Sequence, residues 1–198
     1  MDRETELALV ERLRHGDADA FDEVHAAFHG RLFTFLVRLS RRREVAEDLL
    51  EETWLRLVRH ARRLRSDTRL GAWLFTVARN LHVSYQRSRM LEDSATAGLM
   101  ALWPCGVDRT SPFEATAASE LEWRIERALA KMPTASREVL LLVGVAGLDP
   151  ADAADVCGVT PEALRQRLHR ARETLTRALE QEAGEVLPLE RMKSCPSR

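Results

Sequence analysis

The sequence predicts an all-α protein made of two small helical domains that are joined by a flexible linker. Apolar residues recur at helical spacing in both halves, and no stretch alternates apolar and polar residues as a strand does. Periodicity fails over residues 91–118, where Ser, Thr, Ala, Gly and Pro accumulate. We therefore predict a first domain at residues 1–90, a linker at 91–118, a second domain at 119–182 and a mobile tail at 183–198.

The composition excludes several classes of protein. Of 198 residues, 45% are hydrophobic and 31% charged, which is typical of a soluble globular protein. We expect a cytoplasmic protein, because no apolar run approaches a membrane span and the first residues do not resemble a signal peptide. Cys105, Cys157 and Cys195 form no Cys-x-x-Cys pair, which argues against a zinc site or a disulfide framework.

Four helices are predicted in the first domain. Residues 4–14 are amphipathic, and Gly16-Asp17 ends that segment. A longer helix at residues 19–39 carries Phe and Leu on one face, and a third follows from about 44 to 63. After a polar loop, a fourth helix is predicted from about 71 to 89.

The third helix has an acidic outer face. Leu49, Leu50, Trp54 and Leu57 share the inner face, and the opposite face carries Asp48, Glu51, Glu52 and Leu55. An ordinary solvated face is one interpretation. The other is a docking surface, since an exposed Leu ringed by carboxylates suits a basic partner helix.

The fourth helix has a basic and amide-rich outer face. Its predicted exposed side chains are Arg79, Asn80, Val83, Gln86 and Arg87, with Phe75 near the edge. Such a face can be a solvated helix surface. Arginine and amide groups can also hold phosphates and read bases, and aromatic rings can stack on unpaired bases.

The second domain ends in the predicted helix-turn-helix. Ser119 opens a capping box, and helices follow up to Pro133 and over residues 137–146. Asp149 and Pro150 begin a short helix, and Thr160 and Pro161 begin the next in the same way. Val159, Leu164 and Leu168 face inward, which leaves Arg165, Gln166, His169, Arg170 and Arg172 outward. A basic second helix suits the DNA major groove.

The charge is unevenly distributed although the net charge is only −1. Residues 59–89 hold eight Arg against one acid, and residues 165–177 hold five Arg against one acid. Residues 91–118 hold four acids against one Arg. Two basic patches separated by an acidic segment favour two DNA contacts and a linker that avoids DNA.

No catalytic pattern is present. We find no Ser-His-Asp pattern, no phosphate-binding Gly-rich loop and no zincin motif in the sequence. His25 and His29 have a metal-compatible spacing, but no third ligand is nearby in sequence. We therefore expect no enzyme activity, no metal and no cofactor.

Together these motifs resemble a bacterial sigma factor of the extracytoplasmic-function (ECF) type, in the sigma-70 family. Residues 46–49 and 52–54 (Ala-Glu-Asp-Leu, Glu-Thr-Trp) are similar to the helix that grips the clamp helices of the RNA polymerase β′ subunit. Residues 72–80 are similar to the motif leading into the minus-ten helix. Residues 132–142 and 167–172 are similar to the region-four domain that reads the minus-thirty-five element. The similarity covers most of residues 17–89 and 121–179.

Some positions depart from the family's usual residues. Glu51 stands where Gln is usual, and Ser84 where Asp is usual. Leu70-Gly71 replaces a common Phe-Arg, and Glu162-Ala163 replaces Gly-Thr in the reading helix. Residues 149–152, Asp-Pro-Ala-Asp, replace a helix start that is led by Ser.

The resemblance implies an alternative sigma factor that directs promoter-specific transcription. Its implied partners are core RNA polymerase (the β′ clamp helices and the β flap), double-stranded DNA at minus-thirty-five and single-stranded DNA at minus-ten. An anti-sigma factor is a further expected partner, and membrane insertion is not expected. The implied polymerase contacts are Asp48, Glu51, Glu52 and Leu55. The implied minus-ten contacts are Arg62, Arg65, Arg69, Phe75, Arg79, Asn80, Val83, Gln86 and Arg87. The implied minus-thirty-five contacts are Thr160, Glu162, Ala163, Arg165, Gln166, Arg167, His169 and Arg170.

A stand-alone helix-turn-helix regulator is the alternative interpretation. Such a protein would bind a palindrome without polymerase, since dimeric readers match two-fold sites. A nucleic-acid-modifying enzyme is a second alternative, and the lack of clustered ligands or a nucleophile–base pair speaks against it.

Overall fold

The computed structural model describes residues 2–96 and 120–185, and all regular secondary structure in those ranges is helical. In chain order the helices are α1 Arg3–Arg14, α2 Ala18–Ser40, α3 Arg43–His60, α4 Leu70–Thr96, α5 Glu120–Lys131, α6 Thr134–Gly144, α7 Pro150–Cys157 and α8 Pro161–Glu185, with a 3-10 turn at Ala61–Arg63. The predicted fold class is confirmed. Ser119, Cys105, Cys195 and most of the predicted linker and tail lie outside the described residues.

Aspartates cap the starts of α1, α2 and α7, as the sequence predicts for the last of these. The Asp149 carboxylate accepts from the backbone N–H groups of Ala151 at 2.8 Å and Asp152 at 2.9 Å. Asp17 does the same for α2, 2.9 Å from the Asp19 nitrogen. These bonds satisfy backbone donors that have no partner inside the helix. The α4 helix is longer than predicted: it continues past residue 89 to Thr96.

The core of the first domain forms where α2 packs against α3 and α4. Phe35 and Phe75 meet edge to face, with ring centroids 5.3 Å apart and planes at 85°. Leu32, Leu36 and Leu57 are among the other fully buried side chains of this domain. Edge-to-face contact is a favoured arrangement of aromatic rings, so this pair stabilises the packing of α2 on α4.

The second domain closes around α8, which packs against α5, α6 and α7. Leu141, Leu142 and Leu164 are fully buried, and Leu168 nearly so. Gly158, with φ +64°, forms the tight turn between α7 and α8. Burial of Leu164 and Leu168 leaves the opposite side of α8 open to solvent.

The two domains pack against each other. Helix α6 lies on α2, and α7 lies on α4. Gly71 at the start of α4 lies in the boundary, since a Cβ there would be 3.2 Å from the Phe28 side chain of α2 and 3.6 Å from the Leu148 side chain of the second domain. The buried Arg137 guanidinium donates to the carbonyl oxygens of Arg38 and Leu39, both at 3.3 Å. Polar and apolar contacts therefore both cross the domain boundary.

Candidate nucleic-acid interfaces and docking face

The acidic face of α3 is exposed, with one apolar residue at its centre. Asp48 and Glu51 are exposed, and Leu55 retains 41% of its accessible surface. Glu52 is half-buried, 3.0 Å from the Arg56 guanidinium and 3.8 Å from that of Arg59. The structure thus brings all four predicted docking residues to one side of a single helix.

A groove of about 540 Å³ opens beside this face, between α2 and α3. Phe21, Trp54, Leu55 and Val58 are among its apolar lining residues, and Glu51 and Arg43 are among its charged ones. Val58 is 59% exposed, so the apolar surface continues along the helix beyond Leu55. An apolar groove beside carboxylates fits the non-polar side chains of a basic helix.

His25 and His29 lie in the same groove and contact each other. The Nε2 atom of His25 is 2.9 Å from Nδ1 of His29, and the His25 ring lies 4.8 Å from that of Trp54. Partial burial and the neighbouring imidazole both lower the pKa of His29. In the part of the chain that the structure describes, no three potential metal ligands cluster. Both histidines form part of the groove wall.

Most predicted residues on α4 lie on its open side. Asn80, Gln86 and Arg87 are exposed, and Val83 is half-buried. Arg79 is also half-buried, and its Nε atom lies 2.8 Å from the carboxylate of Glu138 in the second domain.

Phe75 does not lie where the sequence analysis put it. It is fully buried against Phe35, so the prediction of an exposed edge position is wrong. The cause is that α2 packs on the side of α4 next to Leu74. The buried part of the α4 surface is therefore wider than the single apolar stripe that the sequence shows, and it includes Phe75.

The 3-10 turn after α3 and the loop before α4 present the remaining basic side chains. Arg62, Arg65 and Arg69 are all exposed. Arg65 holds Asp67 through two contacts of 3.0 Å. Arg3 of α1 donates to the backbone oxygens of Asp67 and Thr68, at 2.6 and 3.1 Å, and so fixes the path of the loop.

The N-terminal end of α8 carries the second basic surface. Ala163 is half-buried, while the other predicted contacts are exposed: Thr160, Glu162, Arg165, Gln166, Arg167, His169 and Arg170. The Thr160 hydroxyl accepts from the Ala163 nitrogen at 3.2 Å, which confirms the predicted cap. Glu162 lies 2.6 Å from the Arg165 guanidinium. A helix end with its cationic residues facing solvent can enter a major groove.

Three buried polar residues at the domain boundary were not predicted. His82 is 2% exposed, Arg137 5% and Glu138 8%. Burial, together with the charges of Arg137 and Arg79, lowers the pKa of His82 to about 4. His82 lies four residues after the buried Ala78 and eight after Leu74, so helical spacing alone could have placed it on the inner face.

Cys157 is a buried core residue, in agreement with its place at the end of α7. Burial, with a smaller contribution from Glu138, raises the pKa of its thiol to about 11. The thiolate that redox chemistry needs is therefore disfavoured.

Two family models match the chain, one on each domain. The model for sigma-70 region 2 matches residues 24–92, and the model for sigma-70 region 4 matches residues 122–175. The ECF RNA polymerase sigma factor EcfG of Rhodopseudomonas palustris is 35% identical over 159 residues, which are 80% of this chain and 83% of EcfG. This chain belongs to the ECF sigma factors of the sigma-70 family.

Further relatives agree with this assignment. The ECF sigma factor SigM of Mycobacterium tuberculosis is 31% identical over 83% of this chain and 79% of its own. Among solved structures, the sigma factor RpoE of Bartonella quintana, in complex with the anti-sigma factor NepR, aligns with a TM-score of 0.68 and 27% identity, over 81% of this chain and 96% of RpoE. This sigma factor is therefore an alternative RNA polymerase sigma factor, and a stand-alone regulator is not favoured.

Among the helices of residues 2–96 and 120–185, none is long and apolar enough to cross a bilayer.

Proposed function

We propose that this sigma factor docks on core polymerase through the outer face of α3. The observation that supports this is the exposed Leu55 surrounded by Asp48, Glu51 and Glu52, beside an apolar groove. The β′ clamp helices are the proposed partner on this face, with a second contact from the β flap to the second domain. Apolar contact supplies affinity, and the carboxylates steer and orient a basic helix.

We infer that the two basic surfaces read the two halves of a promoter. The N-terminal end of α8, with Arg165 and Arg167, would contact double-stranded DNA at minus-thirty-five. Asn80 on α4 and the basic loop would hold single-stranded bases at minus-ten, since unstacked bases need amide or guanidinium donors. Melting would be driven by binding free energy and not by chemistry of this chain, so no catalytic role is assigned.

An anti-sigma factor is also a proposed partner. RpoE, which this chain resembles over both domains, is solved with the anti-sigma factor NepR. We expect such a partner to cover the α3 face, because it would then exclude core polymerase from the same surface. We place the protein and its partners in the cytoplasm, where transcription takes place in bacteria.

Charge reversal on α3 tests the docking face. Asp48→Lys with Glu52→Lys is expected to abolish co-purification with core polymerase, because two carboxylates become two ammonium groups facing a basic partner. The matched control is Glu4→Lys with Asp19→Lys, which reverses two exposed acids on α1 and α2 and should leave binding intact. Retained binding by the α3 variant would place the docking face elsewhere.

A further inference from the structure

Two arginines of the proposed minus-ten surface are held by carboxylates of the second domain. Arg79 on α4 pairs with Glu138 of α6 at 2.8 Å, with both side chains largely shielded from solvent. Arg69 in the loop before α4 pairs with Asp152 of α7, and Asp149 lies 3.4 Å from the same guanidinium nitrogen. The second domain therefore occupies side chains that promoter DNA would need.

The carboxylates pair with the guanidinium groups that, under the proposed function, would contact the phosphate backbone of DNA. Asp149 and Asp152 lie one turn apart at the N-terminal end of α7, and α7 packs along α4. The Asp149 side chain also caps α7, so its position is fixed by backbone bonds. A serine at this position could also cap the helix, and it would bring no charge. The acid is thus more than the cap requires.

We propose that the acidic start of α7, together with Glu138, acts as an intramolecular substitute for DNA that keeps the free sigma factor from binding single-stranded DNA. This rests on the proposed function, because it requires Arg69 and Arg79 to belong to the minus-ten surface. The covered form is the packed arrangement described above. Separation of the two domains frees both guanidinium groups, and engagement of each domain on the polymerase supplies the free energy for that separation.

The strength of these pairs suits a reversible cover. Ion pairs that keep contact with water contribute little, and the Arg69 side chain is 52% exposed. The Arg79–Glu138 pair is more shielded, at 23% and 11% exposure. If only a fraction of the molecules have separated domains, the apparent affinity for DNA is reduced by that fraction. Loss of the ion pairs should raise the fraction and so tighten DNA binding.

The test is a three-residue neutral variant: Asp149→Ser, Asp152→Asn and Glu138→Gln. Serine retains the cap, and the two amides are isosteric with the acids they replace. The matched control is Asp155→Asn, Glu173→Gln and Glu180→Gln, which removes the same charge from exposed positions on α7 and α8. The full chain is titrated against a fluorescein-labelled single-stranded 20-mer of mixed sequence, and circular dichroism checks that each variant is folded.

We expect the neutral variant to bind the oligonucleotide about 3- to 30-fold more tightly than the parent chain, and the control to change by less than about 2-fold. Small-angle X-ray scattering should show a larger radius of gyration for the neutral variant than for the parent chain, and no such increase for the control. Equal tightening by both variants would mean a general charge effect and would overturn the proposal, as would no change in either.

Transcription by holoenzyme separates this proposal from the proposed function. Parent chain and variants are each added to core polymerase on a promoter library. If all chains give promoter-dependent transcripts and oligonucleotide binding is unchanged in the neutral variant, the intramolecular cover is wrong and the sigma function stands. If no chain gives transcripts, the proposed function itself fails, whatever the oligonucleotide titration shows.

Discussion

Acidification is expected to destabilise this protein through His82, a buried imidazole at the domain boundary. His82 lies on α4, and the charged groups that lower its pKa are Arg137 of α6 and Arg79 of its own helix. Burial is the larger cause, since taking the imidazolium out of water is costly. The neutral ring is therefore the form that the folded state accepts.

The magnitude follows from the difference between folded and unfolded pKa values. The folded value is about 4, against 6.5 for an exposed histidine. Between these values the unfolded chain binds one more proton, so the free energy of unfolding falls by about 1.4 kcal/mol for each step of one pH. The total is on the order of 3 kcal/mol, fully present above pH 6.5 and lost by about pH 4.

Urea unfolding followed by circular dichroism measures this dependence. The free energy of unfolding is determined for the parent chain and for His82→Gln at about pH 7, 6 and 5, where most carboxylates stay ionised. The difference between the two proteins should shrink as the pH falls, because only the parent has the imidazole to protonate. Two parallel curves would refute the assignment of the pH dependence to His82.

Three other substitutions test the fold and the reading helix. Phe75→Ala should lower the free energy of unfolding by about 3–5 kcal/mol by leaving a cavity, whereas a loss below 1 kcal/mol would contradict its burial. Asp149→Ala should lower the free energy of unfolding by about 1 kcal/mol by removing a cap, whereas Asp149→Ser, which can still cap the helix, should lower it much less. Equal losses in the two variants would exclude capping. Arg165→Ala or Arg167→Ala should weaken holoenzyme binding to minus-thirty-five DNA by about 1–3 kcal/mol, with Arg177→Ala unchanged. Unchanged affinity in both variants would contradict the assignment of minus-thirty-five recognition to α8.

Local signals in the sequence were sufficient for most of the helices. The Asp149-Pro150 and Thr160-Pro161 pairs mark the starts of α7 and α8, and both caps form as hydrogen bonds. Such signals work because a cap is decided by atoms within three residues of each other. The outward set on α8 followed in the same way, since Leu164 and Leu168 define its inner side.

Features that depend on a second helix could not be predicted in this way. Phe75 is buried because Phe35 of α2 lies against it, and periodicity along α4 does not contain that contact. The packing of α7 on α4 brings together residues such as Arg69 and Asp152, which are 83 positions apart. The sequence analysis assigned a docking role to Asp48, Glu51, Glu52 and Leu55 from one helix alone, and that assignment stays a prediction.

The central claim is that this chain confers promoter specificity on core RNA polymerase. In vitro transcription on a promoter library, with core polymerase in the presence and absence of the chain, measures it directly. The account predicts transcripts from a defined subset of promoters only when the chain is present, and their loss with Asp48→Lys and Glu52→Lys. Absence of such transcripts, together with binding of the chain alone to a palindromic duplex, would contradict it.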